Sequence, residues 1–104
     1  MPLKNNSYNM TNTKINSTAS VLRAAGHPVR VGILELLKQD GETSVNEICE
    51  KLKIEQSLTS HHLNLLSRAG FIKGNRRGKF IFYSIVSKEL YSLLEIVKKE
   101  LMAN

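Results

Sequence analysis

The sequence is poor in cysteine and has no long apolar run. Its single cysteine, Cys49, cannot form a disulfide within the chain, which argues against a disulfide-stapled secreted scaffold. No apolar run approaches the roughly 20 residues that a membrane-spanning helix needs, and the first residues lack the apolar stretch of a signal peptide. These absences predict a soluble, cytoplasmic protein with no membrane partner.

The sequence also lacks any recognisable arrangement of catalytic residues. It shows no nucleophile–base pattern, no phosphate-binding loop and no cluster of metal ligands. An enzyme is therefore not predicted, and neither is a cofactor.

Acidic residues are missing from one third of the chain. Residues 56–88 contain six Lys and Arg but no Asp or Glu, so this stretch accounts for the whole net charge of +6. A basic excess that is concentrated in one segment favours an anionic partner, and nucleic acid above all.

Hydrophobic periodicity predicts a mostly α chain with a β-hairpin wing, in the order α-α-α-α-β-β-α. Residues 1–13 are predicted to be a disordered tail, and residues 14–104 a single domain. The helices are predicted from about Ser17 to Gly26, from Pro28 to Asp40, from a capping box at Ser44, from Gln56 to Ala69 and from Ser87 onward. Strands at 71–73 and 79–85 flank a basic turn at 74–78. This order is typical of a winged helix-turn-helix.

The helix at 56–69 separates two faces on a helical wheel. The predicted core face carries Leu58, His62, Leu65, Leu66 and Ala69, and the opposite face carries Ser57, Ser60, His61, Asn64 and Arg68. Short hydrogen-bonding side chains can approach base edges, and arginine can reach phosphate. The second face is therefore the candidate DNA contact. His62 is predicted to be a core histidine, and His27 an N-cap or a surface residue.

Three segments resemble the ArsR/SmtB family of bacterial transcription regulators. Residues 25–37 (AGHPVRVGILELL) resemble the family segment A-D-P-x-R-x-x-I-L-x-L-L. Residues 56–72 (QSLTSHHLNLLSRAGFI) are similar to its recognition-helix signature Q-S-x-V-S-H-H-L-x-x-L-x-x-A-G-L-V, and residues 77–83 (RGKFIFY) to its wing. The resemblance covers roughly residues 18–102.

The resemblance implies a homodimer that binds a twofold-symmetric double-stranded DNA operator and represses transcription. With the helical wheel, it assigns DNA binding to Gln56, Ser57, Thr59, Ser60, His61, Asn64, Arg68, Arg76, Arg77 and Lys79. It assigns dimerisation to Ile15, Leu22, Leu90, Leu94, Val97 and Leu101. An apolar stripe on the last helix agrees with this assignment, because a small chain has little core to spare.

The resemblance also implies metal sites that this sequence does not complete. One family site uses Cys-x-Cys plus a further Cys, and the corresponding positions are Ser44, Asn46 and Cys49. A second uses Asp and His, where this chain has Ser87, Glu89, Glu100 and Ala103. One thiolate does not complete a soft-metal site, so no metal site is predicted.

The effector is left open by the sequence. Two alternatives stand beside a repressor without a metal site: a thiol- or ligand-responsive member that switches through Cys49, and a winged helix that serves as a protein-interaction module. Cys49 also fits a buried small apolar residue. The sequence also does not specify the operator, the regulated genes, or whether the protein represses or activates transcription.

Overall fold

The structure, a computed structural model, describes residues 12–102 and the side chains of residues 15–16 and 18–100, and within them it has five helices and three strands. The elements are α1 (Asn12–Ala25), α2 (Pro28–Asp40), β1 (Thr43–Ser44), α3 (Val45–Leu52), α4 (Gln56–Arg68), β2 (Ile72–Arg77), β3 (Phe80–Ile85) and α5 (Lys88–Met102). The helix α3, its tight turn, α4 and the β2–β3 hairpin form a winged helix-turn-helix, which confirms the predicted fold.

Local capping interactions set the helix boundaries. His27 is the N-cap of α2, and its Nδ1 accepts a hydrogen bond from the backbone N–H of Val29 at 3.1 Å. Ser44 Oγ accepts from the backbone N–H of Glu47 at 3.2 Å and so begins α3, as the capping box predicts. Helix α1 begins at Asn12, before the expected start at Ser17, so residues 12 and 13 of the predicted tail are helical; residues 1–11 lie outside the described part.

The sheet is larger than the predicted hairpin. Strand β1 pairs antiparallel with β3 through Thr43 and Ser44, which gives the order β1-β3-β2. This strand was not predicted, because two residues are too short for a period-2 pattern. The predicted loop at 74–78 is also wrong, since β2 continues through Arg77 and only Gly78 and Lys79 form the turn.

Two glycines explain the shape of the hairpin. Gly78 has a φ of 63°, which suits the first position of a two-residue type II′ turn. Gly74 lies opposite Tyr83 in the strand pairing, and a Cβ at this position would stand 3.0 Å from the Tyr83 ring. Gly74 is therefore a strand residue that makes room for an aromatic side chain, and not a turn residue.

The core joins the helix-turn-helix to the base of the wing. Ile33 and Leu34 of α2, Ile48 of α3 and Leu66 of α4 have no exposed surface, and Leu90 of α5 is 5% exposed. Because Leu90 is buried within its own chain, it does not lie on the surface where the sequence placed it as a dimer contact.

No helix within residues 12–102 is long and apolar enough to cross a membrane.

Candidate nucleic-acid interface

Helix α4 presents a polar surface to solvent. Gln56, Ser57, His61 and Asn64 are exposed, and Ser60 is half-buried beside them. With Glu55 they line one open surface region, which we call the α4 groove. Arg68 is exposed one turn further along. The structure therefore brings together most of the residues that the sequence assigned to DNA contact.

Thr59 is the exception on this helix. Its side chain is fully buried, and its Oγ1 donates a hydrogen bond to the backbone carbonyl of Glu55 at 2.9 Å. This i−4 bond satisfies the hydroxyl inside the protein, so a residue that looks polar in the sequence belongs to the core. Thr59 is accordingly removed from the candidate contact residues.

The buried face of α4 is turned relative to the helical wheel. Leu63 is 1% exposed, although the wheel did not place it in the core, whereas Leu58 is 44% exposed. Leu65 and Ala69 are half-buried, and His62 and Leu66 are buried as predicted. The wheel placed Thr59 and Leu63 on neither face. Because both are buried, the buried face of α4 is centred closer to Thr59 than to Leu58.

Sequence reasoning missed Glu55. It is the N-cap residue of α4 by backbone position, but its side chain makes no capping hydrogen bond to the helix. Its Oε1 instead accepts a hydrogen bond from Ser57 Oγ. A carboxylate thus lies within the α4 groove, just before the segment that has no acidic residue.

The three basic side chains of the wing differ in the contacts that they make within the chain. Arg77 forms an ion pair with Glu42 of the α2–β1 loop, and its guanidinium lies 4.4 Å from the centre of the Phe82 ring. Lys79 Nζ lies 5.5 Å from the centre of the Phe80 ring. Arg76 is exposed and, among the residues described, has no ion-pair partner. The three residues therefore differ in how freely they can reach an external anion.

A small cleft connects the wing to the recognition helix. Gln56 and Ser60 of α4 and Lys79 and Phe80 of the wing line a space of about 110 Å³, together with Asn46 of α3. These residues come from α3, α4 and the wing, which are separate segments of the sequence. The fold therefore makes one continuous surface of helix and wing.

His62 is buried on α4, and its surroundings favour its neutral form. Its ring centre stands 4.6 Å from that of His27, and within the described residues its Nδ1 has no hydrogen-bond partner. Burial lowers the pKa of His62 from its usual value of 6.5, and the nearby His27, Arg30 and His61 lower it further. The buried imidazole therefore resists protonation in the folded chain.

This arrangement predicts that acid destabilises the fold. Since the pKa of His62 is lower in the folded than in the unfolded chain, unfolding takes up a proton as the pH falls below about 6.5. The free energy of unfolding should therefore decrease between pH 7.5 and pH 5, as measured by urea denaturation. His62→Gln should flatten this dependence, whereas His61→Gln on the exposed face should retain it. Equal slopes for wild type and His62→Gln would contradict the assignment.

Exposed apolar side chains lie on α1 and α5. Leu22 on α1 is 57% exposed, and Val97 on α5 is 47% exposed. Leu93 and Ile96, which precede Val97 by four residues and by one, are exposed on the same helix. Of the other residues that were assigned to dimerisation, Ile15 is half-buried, Leu94 packs against the core, and the Leu101 side chain is outside the described set. Leu22 and Val97 are the assigned residues most open to a partner.

The positions of the family's metal sites serve other purposes here. Ser44 caps α3, Cys49 is half-buried on that helix, and Ser87 Oγ accepts from the backbone N–H of Leu90 at 3.1 Å. Glu89 and Glu100 are both exposed on α5, and Ala103 is outside residues 12–102. Within the described residues, no group of three or more His, Cys, Asp or Glu side chains is placed to hold a metal ion.

Comparisons with known proteins agree on one family. The family described as bacterial regulatory protein, arsR family, matches residues 27–73. An uncharacterised HTH-type transcriptional regulator of Methanocaldococcus jannaschii is 37% identical over 81% of this chain and 94% of its own. The transcriptional repressor SdpR of Bacillus subtilis is 41% identical over 64% of this chain and 72% of its own.

Solved structures extend the agreement to the fold. The solution NMR structure of a homodimeric winged helix-turn-helix DNA-binding domain from Mycobacterium bovis superposes with a TM-score of 0.75 at 26% identity. The superposition covers 91% of this chain and 93% of that one. It therefore includes the helix-turn-helix and the wing together.

Proposed function

Because this chain belongs to the arsR family of bacterial regulatory proteins, we propose that it is a homodimeric repressor that binds a twofold-symmetric DNA operator. Family membership confirms the prediction of a transcription regulator rather than an enzyme. The proposal adds the DNA contact residues, the dimer and the direction of regulation.

The proposal rests on one observation, the exposed polar side chains that α4 presents in the α4 groove. An α-helix fits the DNA major groove, where side chains read base edges by hydrogen bonds. Gln56, His61 and Asn64 offer such groups on one exposed face, and the basic wing follows at the end of the same surface. We therefore assign base contact to Gln56, Ser57, Ser60, His61 and Asn64, and phosphate contact to Arg68, Arg76 and Lys79.

Dimerisation is supported by the exposed apolar side chains of α1 and α5. Leu22 and Val97, with Leu93 and Ile96, leave apolar surface in water that a second copy would cover. The Mycobacterium bovis domain of the same fold is homodimeric. A dimer would present two α4 grooves to two half-sites, as twofold operators require.

Release from DNA is proposed to use a route other than the two metal sites of the family. Ser44 and Asn46 provide no thiolate beside Cys49, and the carboxylates of Glu89 and Glu100 are solvent-exposed. Repression rather than activation is proposed by analogy with the repressor SdpR, which is 41% identical to this chain over the region they share.

DNA binding is tested by fluorescence anisotropy with the promoter of the protein's own operon. We expect sub-micromolar affinity that exceeds the affinity for random DNA of equal length and falls steeply with salt. Arg76→Ala should lower the steepness of log affinity against log salt by about 2, because each protomer of the dimer loses one phosphate contact. Arg77→Ala should lower it less, since Glu42 already neutralises Arg77.

The control for this experiment removes one positive charge elsewhere. Lys99 is exposed on α5, away from the α4 groove, so Lys99→Ala should keep the wild-type salt slope. Equal affinity for every promoter fragment and for random DNA would contradict the proposed function. Equal slopes for Arg76→Ala and Lys99→Ala would contradict the assignment of phosphate contact to the wing.

A further inference from the structure

The α4 groove contains one group that can only accept hydrogen bonds. Glu55 is exposed at the start of α4, and its carboxylate lies among side chains that can both donate and accept: Gln56, Ser57, Ser60, His61 and Asn64. A carboxylate on a DNA-binding surface is repelled by phosphate, so it is tolerated only where it meets a donor. Its presence restricts what the groove can face.

The hydrogen bond from Ser57 makes this restriction stronger. The hydroxyl of Ser57 donates its single proton to Glu55 Oε1. A serine hydroxyl has one proton and two lone pairs, so Ser57 then offers only lone pairs to an external partner. Glu55 and Ser57 therefore act as two neighbouring acceptors at the N-terminal end of α4.

We propose that Glu55, oriented by Ser57, determines operator sequence by accepting a hydrogen bond from the exocyclic amino group of a cytosine. Only cytosine N4 and adenine N6 donate in the major groove, whereas guanine and thymine present acceptors there. Adenine carries the acceptor N7 beside its donor N6, so an acceptor of the base would face the acceptors of the protein. Cytosine has no acceptor next to N4 on its major-groove edge, so it suits an acceptor pair best.

The inference rests on the proposed DNA-binding function, and it is tested by selection of binding sites from a randomised DNA library. The wild-type chain should select a cytosine at one position of each half-site. Glu55→Gln should lose that preference by about 10-fold, because the amide also donates and so tolerates other bases. The Glu55 side chain does not cap α4, and Thr59 bonds only its backbone carbonyl, so the variant should fold normally.

Two controls make the selection decisive. Glu50→Gln removes the same charge from an exposed position of α3 that does not line the groove, and it should keep the wild-type preference. Replacing the selected cytosine by 2-pyrimidinone, which lacks the amino group, should weaken wild-type binding about 10-fold and weaken Glu55→Gln less, because the neutral amide oxygen is a weaker acceptor than the carboxylate.

The outcomes separate this inference from the function beneath it. A wild-type consensus that Glu55→Gln retains in full would overturn the inference alone, and so would an equal change at every base pair. Selection of no consensus by the wild-type chain would overturn the proposed function and this inference with it.

Discussion

Val97→Glu is expected to convert the proposed dimer into monomers and to lower operator affinity by at least about 100-fold. Val97 is 47% exposed in the single chain and lies beside Leu93 on the open face of α5. A carboxylate placed there would be buried without a partner on association, which opposes dimer formation strongly. Separate monomers would also lose the gain from binding two half-sites at once, which typically reaches 10²- to 10⁴-fold.

Sedimentation and operator titration measure the two effects on the same samples. The mass should fall from twice the 11.7 kDa of the chain to a single chain. Gln39→Glu makes the same change of charge at an exposed position of α2, outside the apolar side chains of α1 and α5 to which dimerisation is assigned, and it should remain dimeric with nearly wild-type affinity. A dimeric Val97→Glu protein would show that the chains meet through another surface.

The starts of α2 and α3 could be predicted because local chemistry determines them. Pro28 follows His27 at the start of α2, and Ser44 precedes Glu47 by three residues at the start of α3; both signals work within one turn of helix. The wing was also predictable as a hairpin, since a strand rich in aromatic and β-branched residues follows a glycine-containing basic turn. These features need no knowledge of what the rest of the chain does.

Features that depend on distant partners were not predictable. Strand β1 exists only because Thr43 and Ser44 pair with Tyr83 and Phe82, far along the chain. Gly74 resembles a turn residue until the ring of Tyr83 is placed opposite it.

The candidate site shows the same division. Its exposed polar residues on α4 follow from helical periodicity. Thr59 was wrongly grouped with them, because its buried hydroxyl bonds a backbone carbonyl inside the protein. The pairing of Arg77 with Glu42 spans 35 positions, and it reduces the positive charge that the wing offers to DNA. Glu55 was missed because it precedes the helical segment, although the fold places it within the α4 groove.

The orientation of α4 can be measured through its leucines, which the sequence alone placed together. Leu66 has no exposed surface, whereas Leu58 is 44% exposed. Leu66→Ala should therefore lower the free energy of unfolding by about 3–5 kcal/mol, through lost burial and the cavity it leaves. This is a large part of the roughly 5–15 kcal/mol that stabilises a typical domain.

Leu58→Ala provides a matched control, because it makes the same chemical change on the same helix. Its expected cost is about 1 kcal/mol or less, since much of the side chain is already in water. Urea denaturation at one fixed, high protein concentration would compare the two variants without a contribution from dimer dissociation. Equal losses would mean that α4 buries the face that carries Leu58, as the helical wheel predicts, rather than the face that carries Leu63.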